Sequence, residues 1–226
     1  MFTIIGTVHM DIETDTGKYN ADTLYNIIEK INPNIIFEET NYKDYVDTYI
    51  YNVKSNSVEK NTVLKYIKNY DSKNIPVDTL EQPCNFQEIY DAVNFCLKIP
   101  NNHNKELIDL VNQIDKISET NGIEGVNTDF FDSLINERHK LFIDYIHSHK
   151  VNLIDYYDQF IQYMCENREC RMVENIIKYK CLNIESRNSN VVFLIGAAHR
   201  VSMYNKLQNV VSNVCELISF PKLNGT

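Results

Sequence analysis

Two motifs of the same form stand near the two ends of the chain: Gly6-Thr7-Val8-His9 and Gly196-Ala197-Ala198-His199. Six glycines and six histidines in 226 residues would give about 0.16 such matches by chance. Each motif follows a short apolar run, so the glycine can let the backbone leave a strand in a conformation barred to other residues, or approach a ligand closely. The histidine then projects from the strand end, where neutral imidazole can bind a metal ion or act as a base. The alternative is that each histidine packs locally.

Carboxylates follow the second and third predicted strands. The run Ile35-Ile36-Phe37 leads into Glu38 and Glu39, and Asn74-Ile75-Pro76-Val77 leads into Asp78. Parallel strands end at the same edge of a sheet, so these carboxylates can approach the histidines. Because side chains alternate along a strand, at most one of Glu38 and Glu39 faces the histidines, with a slight preference for Glu38. The alternative is a solvated pair in a loop.

A predicted helix from about Ile154 to Lys180 carries a cation within its apolar stripe. At 100° per residue, five residues fall within about 60° of Arg168: Tyr157, Ile161, Met164, Cys165 and Met172. A guanidinium there needs an anionic partner and suits a carboxylate, a phosphate or a developing oxyanion. We expect Arg168 to meet Glu38, Glu39 or Asp78 and to point into the site. Alternatively, its stem follows the core while its head reaches solvent.

The hydrophobic pattern predicts an α/β fold with a small, mostly parallel central sheet and flanking helices. A first helix with Asn20 or Asp22 as its cap separates the first two strands and ends at Asn32-Pro33. A large helical insertion, at about 85–183, separates the third and fourth strands. It contains two apolar stripes: Leu107, Leu110, Val111, Ile114 and Ile117, then Leu141, Phe142, Tyr145 and Ile146. The sheet resumes over Val191 to Ile195, followed by a helix at 202–211 and a last strand near 217–220.

Length and composition set broad limits on the class of protein. The 226 residues fit a single domain over 1–226, and the net charge of −9 opposes binding to nucleic acid. No run approaches the 18 or so apolar residues of a membrane span, and the N-terminus lacks a secretion signal. We therefore expect a cytoplasmic protein without a membrane partner. The pattern indicates no oligomeric state.

The other reactive side chains look structural from the sequence. The six cysteines lack Cys-x-x-Cys spacing and are predicted to be reduced packing residues: Cys84, Cys96, Cys165, Cys170, Cys181 and Cys215. Four histidines are assigned no site: His103, His139, His147 and His149. The chain has no Gly-x-Ser-x-Gly, Gly-rich phosphate loop, His-Glu-x-x-His or Gly-x-Gly-x-x-Gly motif. This disfavours serine hydrolases, kinases, zincins and dinucleotide enzymes.

The constellation resembles the TraB and Tiki superfamily, which also takes in PrgY, GumN and, more distantly, the erythromycin esterases and ChaN-like proteins. The resemblance lies in the paired Gly-x-x-His motifs, in Glu38-Glu39 after the second strand, and in Arg168 four residues before Met172. It covers the sheet elements and the final helices, about half of the chain, in the family's order. It implies a hydrolase of peptide or ester bonds, since several relatives are described as metal-dependent peptidases and the esterase branch is thought to use histidine as a base.

The leading hypothesis is a hydrolase in which His9, His199 and Glu38 or Glu39 gather at the carboxyl edge of the sheet, with Arg168 steadying the oxyanion. They would either bind a divalent metal that activates water or activate water directly. Two imidazoles and a carboxylate suit Mn, Co, Zn or Fe alike. The first alternative is a catalytically silent module of the same fold that binds a peptide or partner protein. The second is an α/β domain whose motifs are inherited structure.

Overall fold

Five strands in the described residues pair in parallel in one sheet: β1 (Phe2–Thr7), β2 (Ile35–Asn41), β3 (Lys73–Asp78), β4 (Val191–Gly196) and β5 (Cys215–Leu217). Their order is β3-β2-β4-β1-β5. This computed structural model describes residues 1–8, 18–79, 87–88, 91, 104–149, 153–182, 189–208 and 215–217. The strands before the two Gly-x-x-His motifs, β1 and β4, are neighbours, with Thr7 opposite Gly196. The predicted fold class, a small parallel sheet with flanking helices, is confirmed.

The described residues form these α-helices: α1 (Ala21–Ile31), α2 (Tyr42–Tyr45), α3 (Val58–Asn69), α4 (Lys105–Val126), α5 (Asp129–His149), α6 (Ile154–Ile161), α7 (Arg168–Leu182) and α8 (Arg200–Gln208). Two π-helical segments extend this set, one after α2 over Val46–Ile50 and one joining α6 to α7 over Gln162–Asn167. A single 3₁₀ turn, Ala197–His199, joins β4 to α8.

Local signals fix the ends of α1. The Asn20 side chain accepts a hydrogen bond from the Thr23 N–H at 2.8 Å, which makes Asn20, and not Asp22, the N-cap. Asn32 closes the helix in a left-handed conformation, with φ of 49°, and Pro33 follows. The chain then enters β2. Because β1 and β2 both pair in parallel with β4, their carboxyl ends reach the same edge of the sheet.

Alternation along the strands divides the core between two faces of the sheet. Ile5, Ile36 and Val192 pack on one face, here called the α1 face, with residues of α1, α3, α4 and α5. Phe37 and Phe193 pack on the other, here called the α7 face, with residues of α7 and α8. Helices of the predicted insertion therefore contribute to both covering layers, together with α1, α3 and α8. Its apolar stripes are largely buried, as predicted.

The long helix predicted from about Ile154 to Lys180 departs from regular α geometry. Its π segment holds an extra residue per turn, so the assumed 100° spacing fails across Gln162–Asn167. The single stripe was therefore wrong: Tyr157 packs against α4 and α5, whereas Met172 packs against the sheet. Arg168 begins α7. It lies between the part of the chain that packs against α4 and α5 and the part that packs against the sheet.

Neither motif glycine uses a conformation barred to other residues, which was one of the two roles that the sequence suggested. Gly196 has φ of −49°, and Gly6 is not among the positive-φ residues. Gly6 instead gives room: an added Cβ would lie 3.1 Å from Ala197 Cα and 3.1 Å from Arg200 Cδ. Its N–H and C=O groups pair with the buried Asn127 side chain at 2.7 and 2.9 Å.

Replacement of Gly6 by alanine should therefore destabilise the fold. Ala197 Cα is backbone and the Arg200 side chain is fully buried, so neither neighbour can move cheaply. We expect a loss of about 1–3 kcal/mol in the free energy of unfolding, measured by urea titration. An unchanged unfolding midpoint would show that the strand tolerates the added methyl group.

Some boundaries and burial predictions need correction. The last strand begins at Cys215, and 218–220 lie outside the described residues, as does 209–211 of the predicted final helix. Cys170 and Cys181 are exposed rather than packed, because they lie on the solvent side of α7. No helix in the described part of the chain is long and apolar enough to cross a membrane.

Candidate active site

The carboxyl edge of the sheet holds most of the residues singled out in the sequence. His9 lies outside the described residues, so its meeting with His199 stays a prediction. The structure follows β1 as far as Val8, whose N–H donates to the Tyr19 hydroxyl at 3.1 Å. The residues at the ends of β2, β3 and β4 are described and can be placed.

His199 lies at the end of the 3₁₀ turn after β4 and pairs with a buried carboxylate. Its Nδ1 is 2.7 Å from Glu169 Oε1, and the two side chains are 13% and 1% exposed. The other carboxylate oxygen, Oε2, accepts from Ser202 Oγ and Lys206 Nζ, each at 2.6 Å. Burial alone would raise the pKa of Glu169, but these three partners outweigh it and lower that pKa below its ordinary value.

The state of Glu169 determines the tautomer of His199. An ionised carboxylate only accepts hydrogen bonds, so the hydrogen bond between the two side chains requires an N–H on His199 Nδ1 that donates to Glu169. In the neutral ring, the lone pair then lies on Nε2. A carboxylate that orients an imidazole in this way prepares it to act as a general base.

Arg168 lies one residue before Glu169 and forms the carboxylate pair expected from the sequence. Its Nε and Nη2 donate to the two oxygens of Asp78 at 3.0 and 2.8 Å, and Nη2 lies 2.6 Å from Glu39 Oε1. Glu39 Oε2 accepts from the Gly196 N–H at 2.5 Å, which ties the cluster to the second Gly-x-x-His motif. Burial alone would lower the pKa of Arg168, but the hydrogen bond to Asp78 and the charge of Glu39 raise it.

The two carboxylates leave part of the guanidinium uncommitted. Nε and Nη2 carry the contacts to Asp78 and Glu39, whereas Nη1 has no partner among the residues that the structure describes. The Arg168 side chain is 16% exposed. Two N–H groups on Nη1 can therefore donate to a carbonyl, carboxylate or oxyanion of a bound molecule.

Glu38 and Glu39 point to opposite faces of the sheet, as strand alternation predicts. Glu38 continues the α1 face, where its Oε2 accepts from the Tyr49 hydroxyl at 2.7 Å and from Asn74 Nδ2 at 3.0 Å. Glu38 was slightly preferred from the sequence as the residue that faces the histidines, but it is Glu39 that contacts the second motif, through the Gly196 N–H. Because His9 lies outside the described residues, the choice for the predicted site stays a prediction. Burial raises the pKa of Glu38, although the bonds from Tyr49 and Asn74 oppose this.

A raised pKa gives Glu38 a defined effect on stability. Between the ordinary glutamate pKa and the raised value, the folded protein holds a proton that the unfolded chain releases. The free energy of unfolding contributed by Glu38 therefore falls as pH rises through this interval. We expect Glu38→Gln to be more stable than the parent at neutral pH. Its melting temperature should also fall less than that of the parent as the pH rises from 4 to 8, measured by thermal melting.

The exposed Glu124 offers a matched control, since Glu124→Gln removes one carboxylate without removing a buried charge. Its melting curve should follow that of the parent across the same pH series. A Glu38→Gln variant that matches Glu124→Gln at every pH would contradict a buried, proton-holding Glu38.

The predicted metal ligands do not converge in the described residues. Both oxygens of Glu39 are engaged, one by the Arg168 cation and one by the Gly196 N–H, so a second cation would have to displace them. Glu38 lies on the other face of the sheet. The bond between His199 Nδ1 and Glu169 leaves Nε2 as the ring nitrogen that could face an ion. Because His9 lies outside the described residues, the metal set of His9, Glu38 or Glu39 and His199 stays a prediction.

Two buried side-chain pairs were missed in the sequence. Glu169 could have been found from helical spacing, because the buried Met172, Val173 and Ile176 follow it by three, four and seven residues. The second is the fully buried Arg200, whose Nε donates to Asp132 Oδ1 at 3.2 Å while its Nη2 pairs with Oδ2. No periodic signal joins residues 68 apart, although an arginine directly after the motif was visible.

A cleft between helices and the thiol of Cys165 are two further features of this part of the molecule. A cleft of about 360 Å³ between α5 and the α6–π segment is lined by His139, His147, Tyr157 and Glu166 among others, and Tyr157 Oη lies 3.0 Å from His139 Nδ1. Cys165 lies close to Glu169. Burial first, and then the charge of Glu169, raise the pKa of its thiol to about 11, so the thiol is protonated at neutral pH and is a poor nucleophile.

Comparison with known proteins adds one structural likeness. No protein-family model matches the chain, and no curated protein matches it significantly. Among solved structures, the chain is similar to a histidine-to-asparagine mutant of the erythromycin esterase EreC in its open conformation, at 16% identity and a TM-score of 0.41. The alignment covers 97% of this chain and 69% of the esterase chain.

Proposed function

We propose that the protein is a hydrolase of ester or peptide bonds in which His199 is the general base. The observation that carries this proposal is the 2.7 Å contact between His199 Nδ1 and the buried Glu169 carboxylate at the carboxyl edge of a parallel sheet. Ligand sites of open parallel sheets lie at this edge. A partly exposed imidazole with an oriented Nε2 lone pair is the group that such a site needs to activate water.

The reaction follows from these side chains. Nε2 of His199 takes a proton from water as the water oxygen attacks the substrate carbonyl carbon, and the carbonyl oxygen gains negative charge. Nη1 of Arg168 donates to that oxygen, while Asp78 and Glu39 hold the guanidinium in place. The imidazolium then returns its proton to the leaving alcohol or amine as the tetrahedral intermediate collapses. Glu169 stabilises the imidazolium between these steps.

Replacement of His199 by alanine tests the proposal most directly. We expect hydrolysis of a responsive member of an ester and peptide panel to fall by about 10²–10⁴-fold, because that is the usual contribution of a general base. Thermal stability should change little, since His199 lies in a turn and buries less apolar surface than a core residue such as Ile195. His9→Ala should lose activity in the same way if His9 shares the site.

The exposed His147 provides the control, and His147→Ala should hydrolyse like the parent. Each assay is run after chelation and again with added Mn²⁺, Co²⁺, Zn²⁺ or Fe²⁺, so that a metal requirement is detected separately. Full activity in His199→Ala would contradict the proposal. Binding of a peptide without turnover under any of these conditions would favour the silent binding module instead.

A further inference from the structure

A thiol lies beside the Glu169–His199 pair. Cys165 precedes Glu169 by four residues, near the end of the π segment, and both side chains approach the 3₁₀ turn that carries His199. One ligand atom from each, the Cys165 sulfur, a Glu169 carboxylate oxygen and a His199 ring nitrogen, lies within 4.8 Å of the other two. The described residues hold no other such group of three.

We propose that Cys165, Glu169 and His199 form a binding site for a zinc-class divalent cation. Thiolate, imidazole and carboxylate are the three ligand types that Zn²⁺ takes in proteins, at about 2.0–2.3 Å from the metal. Tetrahedral geometry at those lengths places ligand atoms about 3.2–3.8 Å apart, and the three atoms here already lie within 4.8 Å of one another. The sulfur ligand disfavours Mg²⁺ and Ca²⁺, which take oxygen ligands.

A supporting shell for this site is already built. Ser202 Oγ and Lys206 Nζ hold Glu169 Oε2, and Lys206 also donates to the Cys165 carbonyl oxygen at 3.2 Å. These contacts leave Oε1 directed at His199. Ligating carboxylates in metalloproteins are usually fixed by hydrogen bonds of this kind. A cation bound by Oε1 and Nδ1 would displace the Nδ1 proton, which moves to Nε2, and would release the proton of the Cys165 thiol to solvent.

This ligand set differs from the one predicted from the sequence, with which it shares only His199. Three protein ligands leave a fourth position open, as in zinc sites that keep a water. Occupation would also commit the His199 ring to the cation. Zn²⁺ should therefore inhibit hydrolysis, a consequence that rests on the proposed function, whereas binding itself does not.

Titration with Co²⁺ tests the binding without an activity assay. The full-length protein is chelated, kept reduced with a phosphine, and titrated while its absorption spectrum is recorded. We expect a near-ultraviolet sulfur-to-cobalt charge-transfer band, with the visible bands of four-coordinate Co²⁺, both saturating at one ion per chain. Added Zn²⁺ should abolish these bands by displacing Co²⁺, because Zn²⁺ binds such sites in preference and has no d–d absorption.

Variants identify the ligands. Cys165→Ser should lose the charge-transfer band and weaken Co²⁺ binding by at least about a hundredfold, because loss of an outer-shell partner alone costs about 10–100-fold. His199→Asn should weaken binding similarly. Cys170→Ser and Cys181→Ser, which change exposed thiols of α7, should titrate like the parent. Circular dichroism establishes that each variant is folded.

Three outcomes would overturn the proposal. The first is the absence of any charge-transfer band in the folded parent at millimolar Co²⁺. The second is a Cys165→Ser variant whose titration matches that of the parent. The third is loss of the band in Cys170→Ser or Cys181→Ser, which would place the cation on an exposed thiol. None of these outcomes depends on whether the protein hydrolyses a substrate.

Discussion

Glu169→Gln should reduce hydrolysis by about a thousandfold to ten-thousandfold while leaving the fold intact. A glutamine side chain can donate its amide N–H to His199 Nδ1, which would move the ring proton to Nε2 and remove the lone pair that activates water. Stabilisation of the imidazolium by the carboxylate would also be lost. The analogous change in the Ser-His-Asp triad, which leaves geometry intact but selects the wrong tautomer, costs about 10⁴-fold in turnover.

Turnover is measured on the responsive substrate of the panel, with thermal melting alongside. Ser202→Ala is the matched control, since it removes a 2.6 Å hydrogen bond from the other carboxylate oxygen without affecting the tautomer. It should lose less than about tenfold, in keeping with a supporting contact of ordinary strength. Equal activity in Glu169→Gln and Ser202→Ala would show that Glu169 does not orient a catalytic base.

Arg168→Met should destabilise the protein by about 3–5 kcal/mol. Removal of one partner from a buried ion pair leaves the other charge uncompensated. Here two carboxylates would be left, Glu39 and Asp78, whose side chains are 4% and 8% exposed. Methionine keeps the helix packing, so the loss reports the charges rather than a cavity. Urea unfolding at neutral pH measures it.

The carboxylate variants make this prediction specific. Combining Arg168→Met with Glu39→Gln and Asp78→Asn removes all three charges and should recover much of the lost stability. Lys178→Met, an exposed site on the same helix, should stay within about 0.5 kcal/mol of the parent. A single Arg168→Met variant as stable as Lys178→Met would mean that Arg168 merely reaches solvent.

Arg168→Lys separates stability from the proposed chemistry. Lysine keeps the positive charge near Asp78 and Glu39 but loses the planar fork that leaves Nη1 available. We expect a modest change in stability and a loss of about tenfold to a thousandfold in turnover. Unchanged turnover in a stable Arg168→Lys variant would remove Arg168 from the proposed site.

The strands and the first helix were predictable because their signals are local. Ile35, Ile36 and Phe37 form a continuous apolar run, and Asn20 and Asn32 mark the ends of α1 by side-chain and backbone chemistry within a few residues. The alternation of Glu38 and Glu39 between faces also follows from strand geometry alone. Regular helical spacing placed Arg168 within an apolar stripe and so predicted an anionic partner, which the structure contains although the π segment divides that stripe.

What only the tertiary structure decided is which distant residues meet. Strand phase separates Glu38 from Glu39, but the position of α7 over the sheet selects Glu39 and Asp78 as the partners of Arg168. The π segment moved the buried stripe out of regular phase, which no count at 100° per residue could show. Glu169 and His199, 30 residues apart, meet because α7 packs beside the turn after β4. Sequence determined the elements and their reactive side chains; packing between helix and sheet determined the pairs they form, since hydrogen bonds across long separations depend on tertiary geometry that local propensity does not encode.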